Sequence, residues 1–310
     1  MVTYHVVMRS ITRTSPDPAS ISSNVDFAAQ LIANSNHVVA MTGAGMSVES
    51  GIPPFRGTNG LWTKYGTPSM DGYRQFKADP EAYWDRQINA QIDEHILELR
   101  ESLRNAKPHV GHYALVELVN RGHIKSVITQ NIDGLDLKAG MGEALIEIHG
   151  NRSRLRCIGC SKRTDLNDFV PLFAPDPCED CGEPVKFDAV MFGEPIVPEV
   201  MAAAKAEIDR ADCVVAIGTS ATVRPASGLL WIARHRSKGN HNGTAGLKPD
   251  AKLIEINPNP TKLSSICDVV VRMTAGQGVP ALLQALTTAP STTNSNARPA
   301  YESTSYRPAP

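Results

Sequence analysis

Residues 42–57 read Thr42-Gly43-Ala44-Gly45-Met46-Ser47-Val48-Glu49-Ser50-Gly51-Ile52-Pro53-Pro54-Phe55-Arg56-Gly57 and follow directly on the apolar run Val38 to Met41. A β-branched run that breaks into Gly-Ala-Gly predicts the first strand of an α/β sheet delivering its backbone toward a phosphate. Glycine suits such a turn because a Cβ would hold a pyrophosphate away from the backbone amides. Two parts of the usual dinucleotide fingerprint are missing: Val48 stands where a third glycine is expected, and no acidic residue ends a second strand about 20 positions on. The continuation from Ser50 to Gly57 adds a different signal. It is a Gly/Pro-stiffened loop carrying Phe55 and Arg56, which suits a cover over a ligand.

Working outward, five further apolar runs predict strands. Lys125 to Thr129 stops at Gln130-Asn131-Ile132-Asp133-Gly134, and Ala144 to Ile148 stops at His149-Gly150. Asp212 to Ile217 stops at Gly218-Thr219-Ser220, Lys252 to Ile256 stops at Asn257, and Asp268 to Arg272 is the last. Five of the six runs thus end in a small or polar group suited to ligand contact. An open parallel sheet binds ligands outside the carboxyl ends of its strands, at the switch point. Turns are polar on their own account, which explains any single ending but explains five together poorly.

Between the runs lie helical patterns. Ser23-Asn24-Val25-Asp26 reads as an N-cap with an acid at N3, opening a helix toward Asn34 with Phe27, Leu31 and Ile32 on one face. A long helical pattern spans roughly Pro80 to Arg104, and another begins at Gly111 and ends near Gly122. The latter contains His112, whose place near a helix start favours a structural histidine over a functional one. Pro225 at a first turn and Gly239 past the end bracket a helix through Trp231. Residues 239–250 are polar and read as a surface loop.

Cys157-Ile-Gly-Cys160, then 17 residues, then Cys178-Glu-Asp-Cys181 makes a C-x2-C-x17-C-x2-C box. Each knuckle offers two thiolates, and four close a tetrahedral zinc with no open position, which is a structural site. Iron in a rubredoxin-like site and two disulfides are the alternatives. Charges in the box are of both signs, unlike a nucleic-acid ribbon. Cys213 and Cys267 lie on or beside apolar runs and read as core thiols.

The chain has 310 residues, 42% hydrophobic, enough for one α/β domain with a smaller insertion. A net charge of -1 leaves no basic footprint for nucleic acid or a membrane surface. No apolar run approaches the roughly 18 residues of a membrane span, and no secretory apolar core opens the sequence. The first 16 residues carry Arg9 and Arg13 without an acid, a thin signal for organelle targeting set against a floppy leader. Six cysteines without an export signal favour thiols and metal over disulfides, and hence a cytoplasmic location.

Taken together, GAGMSVESGIPPFRG, TQNIDGL (residues 129–135), IHG (148–150), the four cysteines, MFGEP (191–195), GTS (218–220) and IN (256–257) occur in the order found in the sirtuin family, which this chain resembles over roughly residues 23–287. The resemblance implies an α/β fold: an NAD-binding Rossmann-type parallel sheet domain from residues 23–57, 108–150 and 188–289. It also implies a smaller domain made of a helical insertion, 58–107, and a zinc ribbon, 151–187, with a flexible leader at 1–22 and a disordered tail at 290–310. NAD would be consumed as co-substrate and one zinc would be structural, held by Cys157, Cys160, Cys178 and Cys181.

Carried over by motif, Gly43, Ala44, Gly45 and Ser47 would line the pyrophosphate, with Gly218, Thr219 and Ser220 helping, and Asn257 would hold the adenosine ribose. Ile52, through its backbone, Asn131 and Asp133 would recognise the nicotinamide carboxamide, with Ile132 among the cofactor-binding residues; Phe55 would cover the reactive face and Arg56 support the loop. Gln130 would bind the nicotinamide ribose. Asn131 and His149 would be catalytic, His149 as general base, since its ring titrates near neutrality. Residues 190–193 would form an edge strand pairing with the substrate peptide. In the implied reaction the acyl oxygen of an acylated lysine attacks the ribose carbon as nicotinamide leaves, giving an imidate. His149 then activates a ribose hydroxyl, and water releases lysine and an acylated ADP-ribose.

The family usually has Asp where Pro54 stands, and proline's stiffness is one substitute for that side chain. Members that remove succinyl or malonyl groups present a Tyr-x-x-Arg pair whose matching positions here are Gln87 and Ala90, without charge; the Tyr83, Arg86 pair falls four residues early. The expectation is therefore a deacetylase. The alternatives are a desuccinylase or demalonylase, a mono-ADP-ribosyltransferase using the same site, and a non-enzymatic NAD- and zinc-binding module.

Overall fold

The computed structural model describes residues 18–57, 59–89, 94–166, 171, 173–235 and 249–288. The expected leader up to residue 17, most of the 239–250 loop and the tail from residue 290 lie outside them.

Six strands, β1 (Val38–Thr42), β2 (Ser126–Thr129), β3 (Leu145–Glu147), β7 (Cys213–Ile217), β8 (Lys252–Ile256) and β9 (Val269–Val271), form one sheet in the order β3-β2-β1-β7-β8-β9. Every pairing is parallel. β1 and β7 are buried along their whole length, as expected where helices cover both faces of a parallel sheet. The alternation of side chains sorts the core into two. Val38, Ala40, Val215 and Ile254 pack with Val25 and Ala28 of α1 (Pro18–Ala33), Leu115 and Leu118 of α6 (Val110–Asn120), and Val279 and Leu282 of α10 (Ala275–Thr288). Val39, Met41, Val214 and Leu253 pack on the other face with Ile208 of α8 (Pro198–Arg210) and Leu229 and Leu230 of α9 (Gly228–His235). Strand order reverses between β1 and β7, so the loops after β1, β2 and β7 open on one crevice.

A second sheet, antiparallel, holds β4 (Arg154–Cys157) between β5 (Arg163–Asp165) and β6 (Val185–Phe187). Four helices follow the glycine loop: α2 (Leu61–Tyr65), α3 (Gly72–Ala78), α4 (Pro80–Ile88) and α5 (Glu94–Asn105). Phe76, Tyr83 and Trp84 from α3 and α4 pack on Leu155 and Phe187 of the small sheet, and Trp84 Nε1 donates to the Val185 carbonyl at 2.8 Å. The short α7 (Leu135–Lys138) follows β2.

Several expectations need correction. The first helix already contains Pro18 to Ser22, so Ser23 to Asp26 lie inside it and not at its cap. Its inward face is Val25, Ala28, Ala29 and Ile32, while Phe27 is 45% exposed, because the sheet beneath accepts the smaller residues. The long helix over Pro80 to Arg104 is two helices: Asp79 caps α4 by accepting from the Ala82 amide at 2.8 Å, and the helix stops at Asn89. α9 starts three residues after Pro225, following a turn in which the Gly228 amide donates to the Pro225 carbonyl at 2.9 Å.

Candidate active site

The glycine loop after β1 is fixed by its neighbour after β7. The Gly43 amide donates to the Ile217 carbonyl at 3.0 Å and the Gly45 amide to the Gly218 carbonyl at 2.8 Å. A Cβ on Gly43 would stand 2.8 Å from Thr219 Cβ, and one on Gly45 only 2.6 Å from Gly218 Cα. Glycine is thus required where two loops touch backbone to backbone, a reason different from the expected approach to a phosphate.

Beneath the loop sits a buried polar chain. Thr42 Oγ1 donates to Thr129 Oγ1 at 2.8 Å, and Thr129 Oγ1 accepts from the Asn131 amide at 3.2 Å. Asn131 Nδ2 donates to the Gly43 carbonyl and to Ser47 Oγ, both at 3.1 Å. Ser47 Oγ donates in turn to Asp133 Oδ2 at 2.7 Å, while Asp133 Oδ1 accepts from the Leu135 amide at 2.9 Å. Ser47, Asn131 and Asp133 are all buried. Burial pushes the Asp133 carboxyl up, against the opposing bonds from Ser47 and Leu135. Ile52 closes the same loop, its amide donating to the Ser47 carbonyl at 3.3 Å.

Gln130 Nε2 donates to the Thr42 carbonyl at 3.2 Å and to Thr219 Oγ1 at 2.9 Å, tying the ends of β1, β2 and β7 together. His149, half-buried after β3, places Nδ1 3.0 Å from the Gln130 carbonyl. A carbonyl only accepts, so in the neutral ring Nδ1 carries the proton and Nε2 keeps the lone pair. Burial lowers the proton affinity of the ring, and the Gln130 carbonyl opposes that shift. Asn257 Nδ2 reaches the Thr219 carbonyl at 3.4 Å. Gly43, Gly45, Ser47, Ile52, Gln130, Asn131, Asp133, His149, Gly218, Thr219 and Asn257 are thus joined by direct bonds. Ala44 stands in the same turn, and Ile132 lies between Asn131 and Asp133 with its carbonyl accepting from the Arg152 amide at 2.8 Å.

The covering loop is held by aromatics. Phe55 is 37% exposed and packs on Trp62 at 5.3 Å between ring centroids, and Trp62 packs on Phe192 at 5.6 Å. The Arg56 guanidinium lies 4.6 Å over the Trp62 ring, and its Nη1 donates to Thr222 Oγ1, which also bonds Ser220 Oγ at 2.9 Å. Pro54 leaves the loop's backbone bonding to others: its carbonyl accepts from the Leu61 amide at 2.8 Å. Trp62, Thr222, Thr42 and Thr129 are site residues to which the motifs assign no role. An aromatic just after Gly60-Leu61 was the one signal available for Trp62; the threonines carry none.

Residues 190–193 are not a strand. The Val190 amide donates to the His149 carbonyl at 2.8 Å, and Met191 to Glu194 closes a turn in which the Met191 amide donates to Glu194 Oε2 at 2.8 Å. These bonds occupy amides that a pairing edge would present.

The sulfurs of Cys157, Cys160, Cys178 and Cys181 lie within 4.8 Å of one another. Cys157 and Cys181 are 3.4 Å apart and Cys160 and Cys178 3.6 Å, far too long for disulfides and close to the roughly 3.8 Å between thiolates on one tetrahedral zinc. The amides of Gly159 and Cys160 point at Cys157 Sγ, at 3.3 and 3.5 Å, as thiolate stabilisation requires. The quartet fits a structural zinc. His112, 1% exposed, accepts at Nδ1 from the His109 amide at 3.3 Å. It is a core histidine, and burial holds it down to about 3.

The profile of the Sir2 family matches residues 43–225. The chain is 37% identical over 263 residues to an NAD-dependent protein deacylase of Thermococcus kodakarensis, covering 83% of this chain and 93% of the relative. A solved complex of a Sir2 homolog with NAD superposes with a TM-score of 0.68 at 35% identity, covering 85% of this chain and 94% of that one. A Sir2 complex with a deacetylated p53 peptide and 3'-O-acetyl ADP-ribose superposes with a TM-score of 0.64 at 28% identity, covering 84% and 97%. The chain belongs to the Sir2 family.

Proposed function

We infer that this chain is an NAD-dependent protein lysine deacylase, consuming NAD and transferring the acyl group of an acylated lysine to ADP-ribose. One observation carries the reading. At the carboxyl ends of the strands, His149 presents a basic Nε2 beside a buried Asn131, Ser47 and Asp133 chain. A pure scaffold needs neither. NAD, when bound, supplies the ribose carbon that accepts the acyl oxygen and the nicotinamide that leaves. Asn131, Asp133 and the Ile52 backbone recognise the carboxamide, Gln130 and Asn257 the two riboses, and Gly43, Ala44, Gly45, Gly218, Thr219 and Ser220 the pyrophosphate. Ser47 is reassigned from the pyrophosphate, because its one proton goes to Asp133 and it accepts from Asn131. Its work is to hold those two in register. Phe55, backed by Trp62 and Arg56, excludes water while nicotinamide departs. His149 Nε2 takes the ribose hydroxyl proton, and its Nδ1–H keeps donating to the Gln130 carbonyl throughout.

The acyl group is acetyl on this reading. Tyr83 is 8% exposed, wedged edge-on between Phe76 and Trp84 at 5.0 and 5.2 Å, so bringing Tyr83 and Arg86 into the acyl site means dismantling that core. Arg86 is exposed, and Gln87 accepts from Arg152 Nη2 at 2.9 Å; Ala90 lies outside the described residues. No described helix is long and apolar enough to cross a membrane. Six cysteines with no disulfide among them support a cytoplasmic location, and a net charge of -1 supports a protein and not a nucleic-acid partner. The test is nicotinamide release from NAD that depends on an acetyl-lysine peptide, compared between wild type and His149→Ala. Loss of turnover with NAD binding retained is expected. Near-normal turnover in the variant would remove His149 from the assignment.

A further inference from the structure

The ring of His149 is fixed at one nitrogen, by a carbonyl at the end of another strand, so the backbone that carries it must be held from elsewhere. That backbone is clasped by the turn that follows β6. The Val190 amide donates to the His149 carbonyl at 2.8 Å, and the Gly150 amide turns back to the Glu147 carbonyl at 3.0 Å. Gly150 has φ +73, and a Cβ there would fall 1.9 Å from the Asp188 carbonyl oxygen, so the Asp188 peptide lies flat against it. Two carboxylates therefore bracket the histidine turn: Glu147, two residues before His149 at the end of β3, and Asp188, pressed on Gly150 from the turn just after β6.

Both are out of water, with side-chain exposures of 12% and 1%, and the Asp188 charge opposes ionisation of Glu147. One cation joins them. Arg154, at the start of β4, donates from Nη2 to Glu147 Oε2, and the same nitrogen stands 3.3 Å from Asp188 Oδ2. The Arg154 carbonyl also accepts from the Asp188 amide at 2.8 Å. Asp188 has two further guanidinium partners, Arg156 Nε and Arg163 Nε, each at 2.9 Å. Glu147 has one further partner, the neutral amide of Asn151 at 2.6 Å. Arg154 is thus the cation that ties the β3 end to the Asp188 turn, whereas Asp188 keeps its charge compensated without it.

We propose that Arg154 is a positioning residue for His149: by bridging Glu147 and Asp188 across the His149, Gly150 turn it holds the imidazole Nδ1 on the Gln130 carbonyl. The proposal rests on the reading of His149 as general base, but its first test does not use activity. In protein labelled with nitrogen-15 in histidine, the ring shifts of His149 report which nitrogen carries the proton. Wild type shows the Nδ1–H form. Arg154→Gln shows a mixture of both neutral forms, and Arg154→Lys, whose ammonium also spans two carboxylates, restores the Nδ1–H form. The control Arg163→Gln removes a partner of Asp188 that does not reach β3 and leaves the ring unchanged.

The second readout is kinetic. Because a misplacement of about 1 Å costs on the order of 100-fold, kcat of Arg154→Gln falls by about that factor, while KM for NAD and zinc content hold. Arg154→Lys recovers most of the loss, and Arg163→Gln shows none. A merely structural ion pair would lower thermal stability and zinc retention in both glutamine variants and leave the ring form alone. If Arg154→Gln does not retain zinc, Glu147→Ala replaces it, since that change leaves the Asp188 cluster intact and breaks the same tie. An unchanged Nδ1–H form in the folded variant overturns the proposal, whatever happens to kcat. A mixed form with unchanged kcat upholds Arg154 as the positioning residue and overturns the general-base reading of His149.

Discussion

Gly45→Ala separates two reasons for a glycine loop. If glycine is there to let a phosphate approach, the substitution should be harmless without NAD, and even favourable: Gly45 does not have a positive φ, and replacing glycine at a compatible position stabilises by about 0.4–1 kcal/mol through the unfolded state. The structure gives the opposite sign. The new Cβ would stand 2.6 Å from Gly218 Cα, 2.8 Å from its oxygen and 3.0 Å from its carbonyl carbon, all backbone atoms that cannot rotate away. Relieving such a contact by shifting a loop costs about 1–3 kcal/mol. The net is a destabilisation of roughly 0–2.6 kcal/mol, centred above 1, taking the second range less the first. At about 2–4 °C per kcal/mol for a chain of this size, the apo-protein should melt several degrees lower. The loops that part are the glycine loop, whose Gly43 carbonyl accepts from Asn131, and the loop bearing Thr219, so KM for NAD should rise with the loss of stability. Differential scanning calorimetry on NAD-free protein is the assay. An apo-protein that melts at or above the wild-type temperature, with only KM for NAD raised, would refute the loop-contact argument.

Three other outcomes are expected. Cys157→Ala and Cys178→Ala should lose zinc, measured by atomic absorption, and with it folding free energy on the order of 10 kcal/mol from the small sheet; a metal-free, fully active preparation would contradict this. Asp136 is buried beneath the site, and burial, with the Asp133 charge next, pushes its carboxyl from 3.8 up to about 7. The folded state then keeps a proton that the unfolded chain has lost, so this group's contribution to stability falls as pH rises from about 4 to about 7 and is level above. Asp136→Asn should flatten that decline, melting above wild type at about pH 8 and close to it at about pH 4; parallel melting profiles would contradict it. On matched peptides, kcat/KM should favour acetyl over succinyl lysine, and a succinyl preference abolished by Arg86→Met would show that Tyr83 does leave its core.

The sheet was legible because its strands are short β-branched runs ending in polar groups, and parallel burial on both faces demands such runs. The crevice was legible from the endings themselves, since Gln130, Asn131, Asp133, His149, Thr219 and Asn257 all sit just past a strand. What could not be read depends on contacts between distant segments. Gly45 is glycine because of Gly218, far along the chain, and the tautomer of His149 is set by a carbonyl after a different strand. Arg154 looked like one of several mixed charges in a cysteine box, and only the folded chain places it between Glu147 and Asp188. Periodicity points Phe27 inward, but α1 packs on β9 and α10 through Val25, Ala28, Ala29 and Ile32 and leaves Phe27 outside. The resemblance implies an edge strand over residues 190–193, yet the Glu194 carboxylate captures the Met191 amide and closes a turn.

The account stands most directly on the fate of the acyl group. Zinc-loaded protein is incubated with NAD and a peptide whose lysine acetyl carries carbon-13, and the products are separated by mass spectrometry. Free lysine peptide, nicotinamide and labelled acetyl-ADP-ribose should appear in equal amounts, and none should appear without peptide. Label released as free acetate with NAD intact, or ADP-ribose left attached to protein while the peptide stays acetylated, would contradict it.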